Sequence, residues 1–489
     1  MKKSGLFKII MFILFAIVIL TWLIPAGYYN SGELVDLGMN QLGFFDFWQL
    51  LFASFGASDF GYFVQILMFL LSVGALYGVL GKTGKYRAAI EKIANKFKGN
   101  ELHFIVIVAV LIAVLTSVFS YELWLFIFIP ALISIILLLG YDKVTACVAT
   151  FGAMLIGNIG STIGYNMVGA IQESLKISKL SNGIYYRLGI LVFSLGALVF
   201  YLYKAKRTNI KKDEEKAIET EDLFAGESKA NKYSVVPIIV IFAILFVLLV
   251  LGCTAWEATF NVKIFTTLNN KITSFAIGKD KFTIFGKLLG NVSAFGSWHY
   301  AEMAVMCTLS ALLLGRFYRM SHKETIDNMI DGTKKILNSA VLVVLSYTVV
   351  YFACNTMTYP TIADFILKAT SKFNIFFSTI TMILGSVLHV DMLYVVNYVI
   401  PQIAGQNVST TVMALLAQGI YGVTMFAAPT SVALVLGLSY LGIPYKEWLK
   451  RTWKLLVALL AIVMVAIILA MVIQLKNEFS FFFYALIPI

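Results

Sequence analysis

Apolar runs of bilayer length recur from one end of the sequence to the other, among them Leu6 to Ile24, Phe63 to Leu80, Leu102 to Phe119, Val235 to Cys253 and Leu455 to Ile473. A run of about 20 apolar residues crosses roughly 30 Å of hydrocarbon as a helix, which satisfies its backbone hydrogen bonds internally. The runs are continuous rather than alternating, which excludes an outer-membrane barrel. Only 13% of the residues are charged and 60% are hydrophobic, where soluble domains carry roughly 25% charged residues. The chain therefore reads as an all-α integral membrane protein. Its net charge of +12 sits mainly in short loops beside apolar runs, as membrane topology requires, and this excludes nucleic acid as a partner and makes the lipid bilayer one.

Enzyme chemistry finds no support. Cys147, Cys253, Cys307 and Cys354 lie in or beside apolar segments without a close pair, so neither a metal site nor a disulfide framework is expected. Gly81-Lys82-Thr83 resembles the end of a phosphate-binding loop, but Leu76 stands where the earlier glycine is required and no strand precedes it. The sequence contains no His-Glu-x-x-His and no Gly-x-Ser-x-Gly. No cofactor is expected. Met1-Lys2-Lys3 followed by Leu6 to Ile24 resembles a signal peptide, but the run is too long and closes on Pro25-Ala26-Gly27-Tyr28, so a retained first span is expected.

Charge placement orders the spans. Tyr28 to Tyr62 carries Glu33, Asp36, Asp46 and Asp59 and no Lys or Arg, which puts it outside the cytoplasm. Lys82 to Lys98 is basic and amphipathic and belongs inside, along the interface. Residues 102–139 form two apolar arms joined at Ser120-Tyr121-Glu122, read as a re-entrant hairpin, and residues 376–403 form a second around Leu388-His389-Val390-Asp391. Lys204 to Lys232 is a hydrophilic linker. The count comes to about nine transmembrane helices, two hairpins and two broken helices. The expected units are residues 1–203 as a first repeat, 204–233 as linker, 234–298 as an extra span and extracytoplasmic loop, and 299–489 as a second repeat of opposite orientation. The N-terminus is expected in the cytoplasm and the C-terminus outside.

The two broken helices carry the functional reading. In residues 143–171 the apolar pattern is interrupted at Gly157-Asn158-Ile159-Gly160-Ser161-Thr162, and in residues 408–441 at Met425-Phe426-Ala427-Ala428-Pro429-Thr430-Ser431. Hydrocarbon tolerates freed backbone groups only where they face protein, water or a solute, and paired interruptions in two halves mark a transporter's midplane site. Ser161, Thr162, Thr430 and Ser431 offer hydroxyls, Asn158 and Asn166 offer amides, and Gly160 and Pro429 loosen the backbone. Helix N-termini there suit a carboxylate and carbonyl ends suit a cation. The same small residues also permit close helix packing. Glu122 at one tip needs a partner or a proton, because an acid at bilayer depth costs at least about 2.5–3.5 kcal/mol; it also suits a helix cap. Asp391 with His389 at the other tip offers a proton relay, and a water-exposed tip explains the pair equally well.

Taken together, Ile24-Pro25-Ala26-Gly27-Tyr28, Gly140-Tyr141-Asp142, Gly160-Ser161-Thr162, Pro429-Thr430-Ser431 and Gly442-Ile443-Pro444-Tyr445-Lys446-Glu447-Trp448 resemble the YfcC-like carriers. That family, within the ion transporter superfamily, is described both as four-carbon dicarboxylate carriers and as basic amino-acid antiporters. The resemblance implies an elevator-type transporter and a homodimer, with Ser161, Thr162, Thr430 and Ser431 at the substrate and ion site. The chain departs from the family at both hairpin tips, where Tyr121 and Leu388-His389-Val390-Asp391 stand. The expected function is secondary active transport of a small carboxylate-bearing solute across the cytoplasmic membrane. A basic amino acid is the first choice and a dicarboxylate the second, with Na+ or H+ as coupling ion. The alternatives of another class are an ion channel and a membrane receptor or scaffold.

Overall fold

A computed structural model describes residues 4–30, 32–57, 61–179, 181–205, 224, 226, 233–277, 282–290, 292–370, 373–404 and 408–485, with side chains to 474. The expected linker 204–233 lies almost wholly outside these residues, as does Asp59. Among the described residues, eight helices are long and apolar enough to cross a membrane: Gly61–Lys82, Glu101–Phe119, Ile184–Lys204, Val236–Cys253, Tyr300–Phe317, His322–Thr356, Thr410–Leu441 and Tyr445–Gln474. The first apolar run is shorter than its composition suggests. Its helix is Ser4–Leu20, and the chain turns ahead of Pro25, which has no N–H to continue it.

Two features differ from the sequence reading. Residues 26–38 form an antiparallel hairpin of two strands, Ala26–Asn30 and Glu33–Gly38. It is pinned by the Gly27 N–H on Met357 O (2.9 Å), Thr361 Oγ1 on Pro25 O (2.8 Å) and the Tyr29 hydroxyl on Asp364 Oδ1 (2.8 Å). Arg316 to Lys335, whose basic, amphipathic sequence reads as a stretch separate from the next span, does not stand apart from it. From His322 onward both belong to one helix of 35 residues, opened by Ser321, whose hydroxyl accepts from the Glu324 N–H.

Gly61–Lys82, Tyr300–Phe317 and His322–Thr356 pack into one body. Its tightest crossing joins Gly74 and Gly78 to Gly332: a Cβ on Gly332 would lie 2.1 Å from Gly74 O and 2.6 Å from Gly78 Cα. Only glycine lets two backbones approach so closely. Against this body lie the hairpins and interrupted helices. In the first hairpin, Glu101–Phe119 ends at Ser120, which adopts a left-handed conformation (φ 56°), and a 3₁₀ turn, Leu123–Ile127, leads to Ile129–Leu138 with Pro130 in its first turn. In the second, Ile375–Leu388 turns through His389 to Asp391 into Met392–Tyr398 and Ile400–Ala404, which contains Pro401. The interrupted segments run Lys143–Ile159 then 165–174, and Thr410–Ala427 then Val432–Leu441. Phe224 of the linker is buried between the rings of Tyr77 and Tyr440, with centroids 5.4 and 6.1 Å away.

Candidate functional site

Both hairpin tips and both interruptions meet at one cavity of about 390 Å³. The first tip contributes Ser120 and Glu122, the second Val390 and Asp391, the first interruption Asn158 and Asn166, and the second Ser431 with Val432 and Ala433. The long-helix body contributes Tyr62, Tyr300 and Tyr347, which join Trp124 and Tyr421 in an aromatic wall. Ring centroids lie 5.2 Å apart for Trp124 and Tyr300, 5.6 Å for Tyr62 and Tyr300, and 6.3 Å for Tyr62 and Tyr347. Tyr165, which donates to Glu173 at 2.6 Å, and exposed Glu173 and His299 complete the polar lining at its rim.

Local structure explains why two acids stand here. The left-handed turn at Ser120 swings Glu122 out of the first arm, and the Asn158 amide donates to its Oε1. Asp391 caps the following helix by accepting from the Leu393 N–H at 3.0 Å, and the Tyr347 hydroxyl donates to its other oxygen at 3.2 Å. Among the described residues that line the cavity, none is Lys or Arg. Four buried polar atoms of the lining find no hydrogen-bond partner in the structure: Ser120 Oγ, Trp124 Nε1, Asn158 Oδ1 and Ser431 Oγ. An unsatisfied buried group costs about 1–3 kcal/mol, so a cluster of them needs a reason beyond packing. Ser431 also opens the ten-residue helix Val432–Leu441, whose first N–H groups point toward an anion placed there.

The sequence candidates divide. Glu122, Asn158, Asn166, Asp391 and Ser431 line the cavity; Gly160, Ser161, Thr162, Pro429, Thr430 and His389 are not part of its lining. Ser161 and Thr162 donate to Ser117 O at 3.2 and 3.3 Å, Ser117 donates to Gly160 O at 2.8 Å, and Gln418 donates to Ser161 O at 2.8 Å. These bonds knit the first interruption to the Glu101–Phe119 arm. Thr430 donates to Val387 O at 2.8 Å and so ties the second interruption to its hairpin. His389 is buried, bonded through Nδ1 to Gly385 O at 3.1 Å and stacked on Tyr398. The aromatic wall and Ser120 had not been singled out from sequence. The rings sit in apolar segments, several beside other aromatic residues, where Tyr and Trp read as core or interface.

The model of a family described as the C4-dicarboxylate anaerobic carrier, DcuC, matches residues 4–472. An uncharacterized protein of Haemophilus influenzae is 24% identical over 417 residues, 82% of this chain and 74% of that one. YfcC of Escherichia coli K12, whose name proposes a basic amino acid antiporter, is 26% identical over 174 residues, 36% of this chain and only 34% of its own length. Among solved structures, the YdaH transporter of Alcanivorax borkumensis aligns over 94% of this chain and 97% of its own, with 12% identity and a TM-score of 0.42. MtrF of Neisseria gonorrhoeae, whose report concerns a class of antimetabolite efflux pumps, aligns over 94% of both chains, with 11% identity and a TM-score of 0.41.

Proposed function

We infer the function from two facts, the first being that the chain belongs to the C4-dicarboxylate anaerobic carrier family and is a secondary transporter. The second is the cavity, where Glu122 and Asp391 face the solute space with no Lys or Arg among the described residues that line it. That absence is the observation that carries our choice of solute, a basic amino acid. Its cationic groups would meet the two carboxylates and the faces of Tyr62, Trp124, Tyr300 and Tyr347, where cation–π attraction is worth about 0.5–2 kcal/mol. Its carboxylate would sit at the start of Val432–Leu441, taking the Ser431 hydroxyl and the first N–H groups of the helix. Asn158 and Asn166 would line the solute's path. Gly160, Ser161, Thr162, Pro429, Thr430 and His389 would hold the interruptions and the second tip in shape.

The cavity lies between the long-helix body and the hairpins with the interrupted segments. We read the latter as the moving part of an elevator, in two repeats of opposite orientation, working in the cytoplasmic membrane as a homodimer. The rim at Glu173 and His299 would open outward. A four-carbon dicarboxylate is the second reading, favoured by the family's description, but it would bring two more negative charges beside two half-buried acids. A channel would show no counterflow, and a scaffold no solute-dependent stabilisation.

Counterflow in proteoliposomes loaded with arginine, ornithine or succinate tests the choice. We expect labelled arginine and ornithine to exchange and succinate to be inert. Exchange of succinate alone would transfer the protein to the dicarboxylate reading.

A further inference from the structure

On that reading of the cavity, its two carboxylates need a counter-charge when the carrier crosses without solute. Glu122 and Asp391 are half-buried and line one cavity. The titratable and charged groups facing them from the packed elements are Tyr62, Tyr165, Glu173, Tyr300, Tyr347 and Tyr421, with His299 at the rim. Six of these seven cannot supply a positive charge, and His299 is exposed at the mouth. The groups that do touch the acids are neutral: the Asn158 amide on Glu122 and the Tyr347 hydroxyl on Asp391. Two like charges in one low-dielectric space cannot both persist without cations.

We propose that Glu122 and Asp391 each carry a proton whenever the carrier crosses without solute, so that one basic amino acid exchanges for two protons. When arginine binds, its α-ammonium and guanidinium take the places of the two protons. Each O–H of the carboxyl pair breaks heterolytically, and the proton leaves to the side from which the solute came. When arginine leaves on the other side, two protons are taken up there. One cycle moves a net charge of +1 with arginine against +2 with protons, so exchange is electrogenic. A diamine carrying two charges would exchange without net charge. Both occupants compete for the same two oxygen sets, and this competition couples them without any second binding site.

The experiment is a null-point measurement in proteoliposomes holding the full-length protein, with the membrane potential clamped at zero. Labelled arginine is set at a tenfold gradient, and the pH gradient that stops net flux is found. Two protons per arginine put that null at about half a pH unit, and one proton at about one unit. Glu122→Gln, which keeps the amide contact but cannot take a proton, should move the null to about one unit. Asp391→Asn, which preserves the helix cap, should do the same. A structural role for either acid would change the rate but not the null. If both variants are inactive, the parent null alone decides. A null that follows a sodium gradient, or arginine counterflow with no proton movement at any pH gradient, overturns the proposal while leaving the substrate reading intact. Absence of arginine counterflow overturns both.

Discussion

Ser431 separates a binding group from a packing group because its two expected effects have opposite signs. Its side chain is 1% exposed, and its hydroxyl has no partner in the structure. In the empty carrier that hydroxyl is a liability of about 1–3 kcal/mol, so Ser431→Ala should melt no lower than the parent and can melt higher. With solute present, the hydroxyl would donate to a carboxylate. A hydrogen bond to a charged group is worth about 1.5–3 kcal/mol, so losing it should raise KM for arginine about 10- to 150-fold. Thr430, one residue away, is the control. Its hydroxyl is used on Val387 O at 2.8 Å, so Thr430→Ala should lose about 0.5–1.5 kcal/mol of stability and change KM little. The assay is purified protein in one detergent, with thermal unfolding followed with and without arginine, and initial uptake rates measured in proteoliposomes. An unchanged KM in Ser431→Ala together with a lowered Tm would make that hydroxyl a packing element and remove the carboxylate from the start of Val432–Leu441.

Two further predictions concern the frame. Gly332→Ala would force a Cβ to within 2.1 Å of Gly74 O and 2.6 Å of Gly78 Cα. These are backbone atoms that cannot swing aside, so the helices must part, and the cost should reach or exceed the usual 1–3 kcal/mol of overpacking, roughly 3 kcal/mol. A variant with the parent's Tm would show that this crossing yields freely. Asp142, in the loop before Lys143–Ile159, is pushed up by burial. The bonds it accepts from the Thr145 N–H (2.8 Å) and Arg451 (2.7 Å) outweigh that and hold its carboxyl below the ordinary range. A depressed carboxyl contributes stability above its unfolded pKa of about 4 and loses it as pH falls through the lower folded value. The pair is about a third exposed, so Asp142→Asn should cost no more than about 1 kcal/mol at neutral pH. Its Tm should converge with the parent's on acidification, and a gap that persists in acid would rule out the charge term.

The parts of this architecture written in the sequence are those whose cost is local. A carboxylate in an apolar run is expensive wherever the chain goes, so Glu122 and Asp391 stood out before any contact was known, and so did the interruptions at Gly160 and Pro429. The division of labour among the hydroxyls is not local. Ser161 and Ser431 occupy similar breaks, yet one donates to Ser117 O, and its backbone carbonyl receives Gln418, while the other faces the cavity. Those partners are distant in the chain and have no signature in the break itself. The aromatic wall was hidden for the same reason. Tyr62, Trp124, Tyr300, Tyr347 and Tyr421 come from five separate elements. The strands at Ala26–Asn30 and Glu33–Gly38 are too short to show a period, and Pro25-Ala26-Gly27-Tyr28 reads equally well as the close of a span.

The family's description and the cavity's chemistry pull toward different solutes, and charge arithmetic shows how one observation separates them. A doubly charged dicarboxylate placed between Glu122 and Asp391 would gather four negative charges in a space lined by no Lys or Arg among the described residues. The helix start at Ser431, equivalent to roughly half a positive charge, cannot balance them. Such a solute could enter only after both acids were protonated or with cations beside it, so it would carry its counter-charge across in the same direction. A basic amino acid brings its own positive charges and displaces protons, so the counter-charge moves the opposite way. The two readings therefore differ in the sign of a proton flux rather than in its size. Internal alkalinisation on addition of external arginine fits a cation-exchanging cavity, and acidification on addition of succinate fits a cation-accompanied dicarboxylate. The same two carboxylates would serve either reaction, so a chain in this family could change its solute without changing its fold, provided the direction of its protons changed with it.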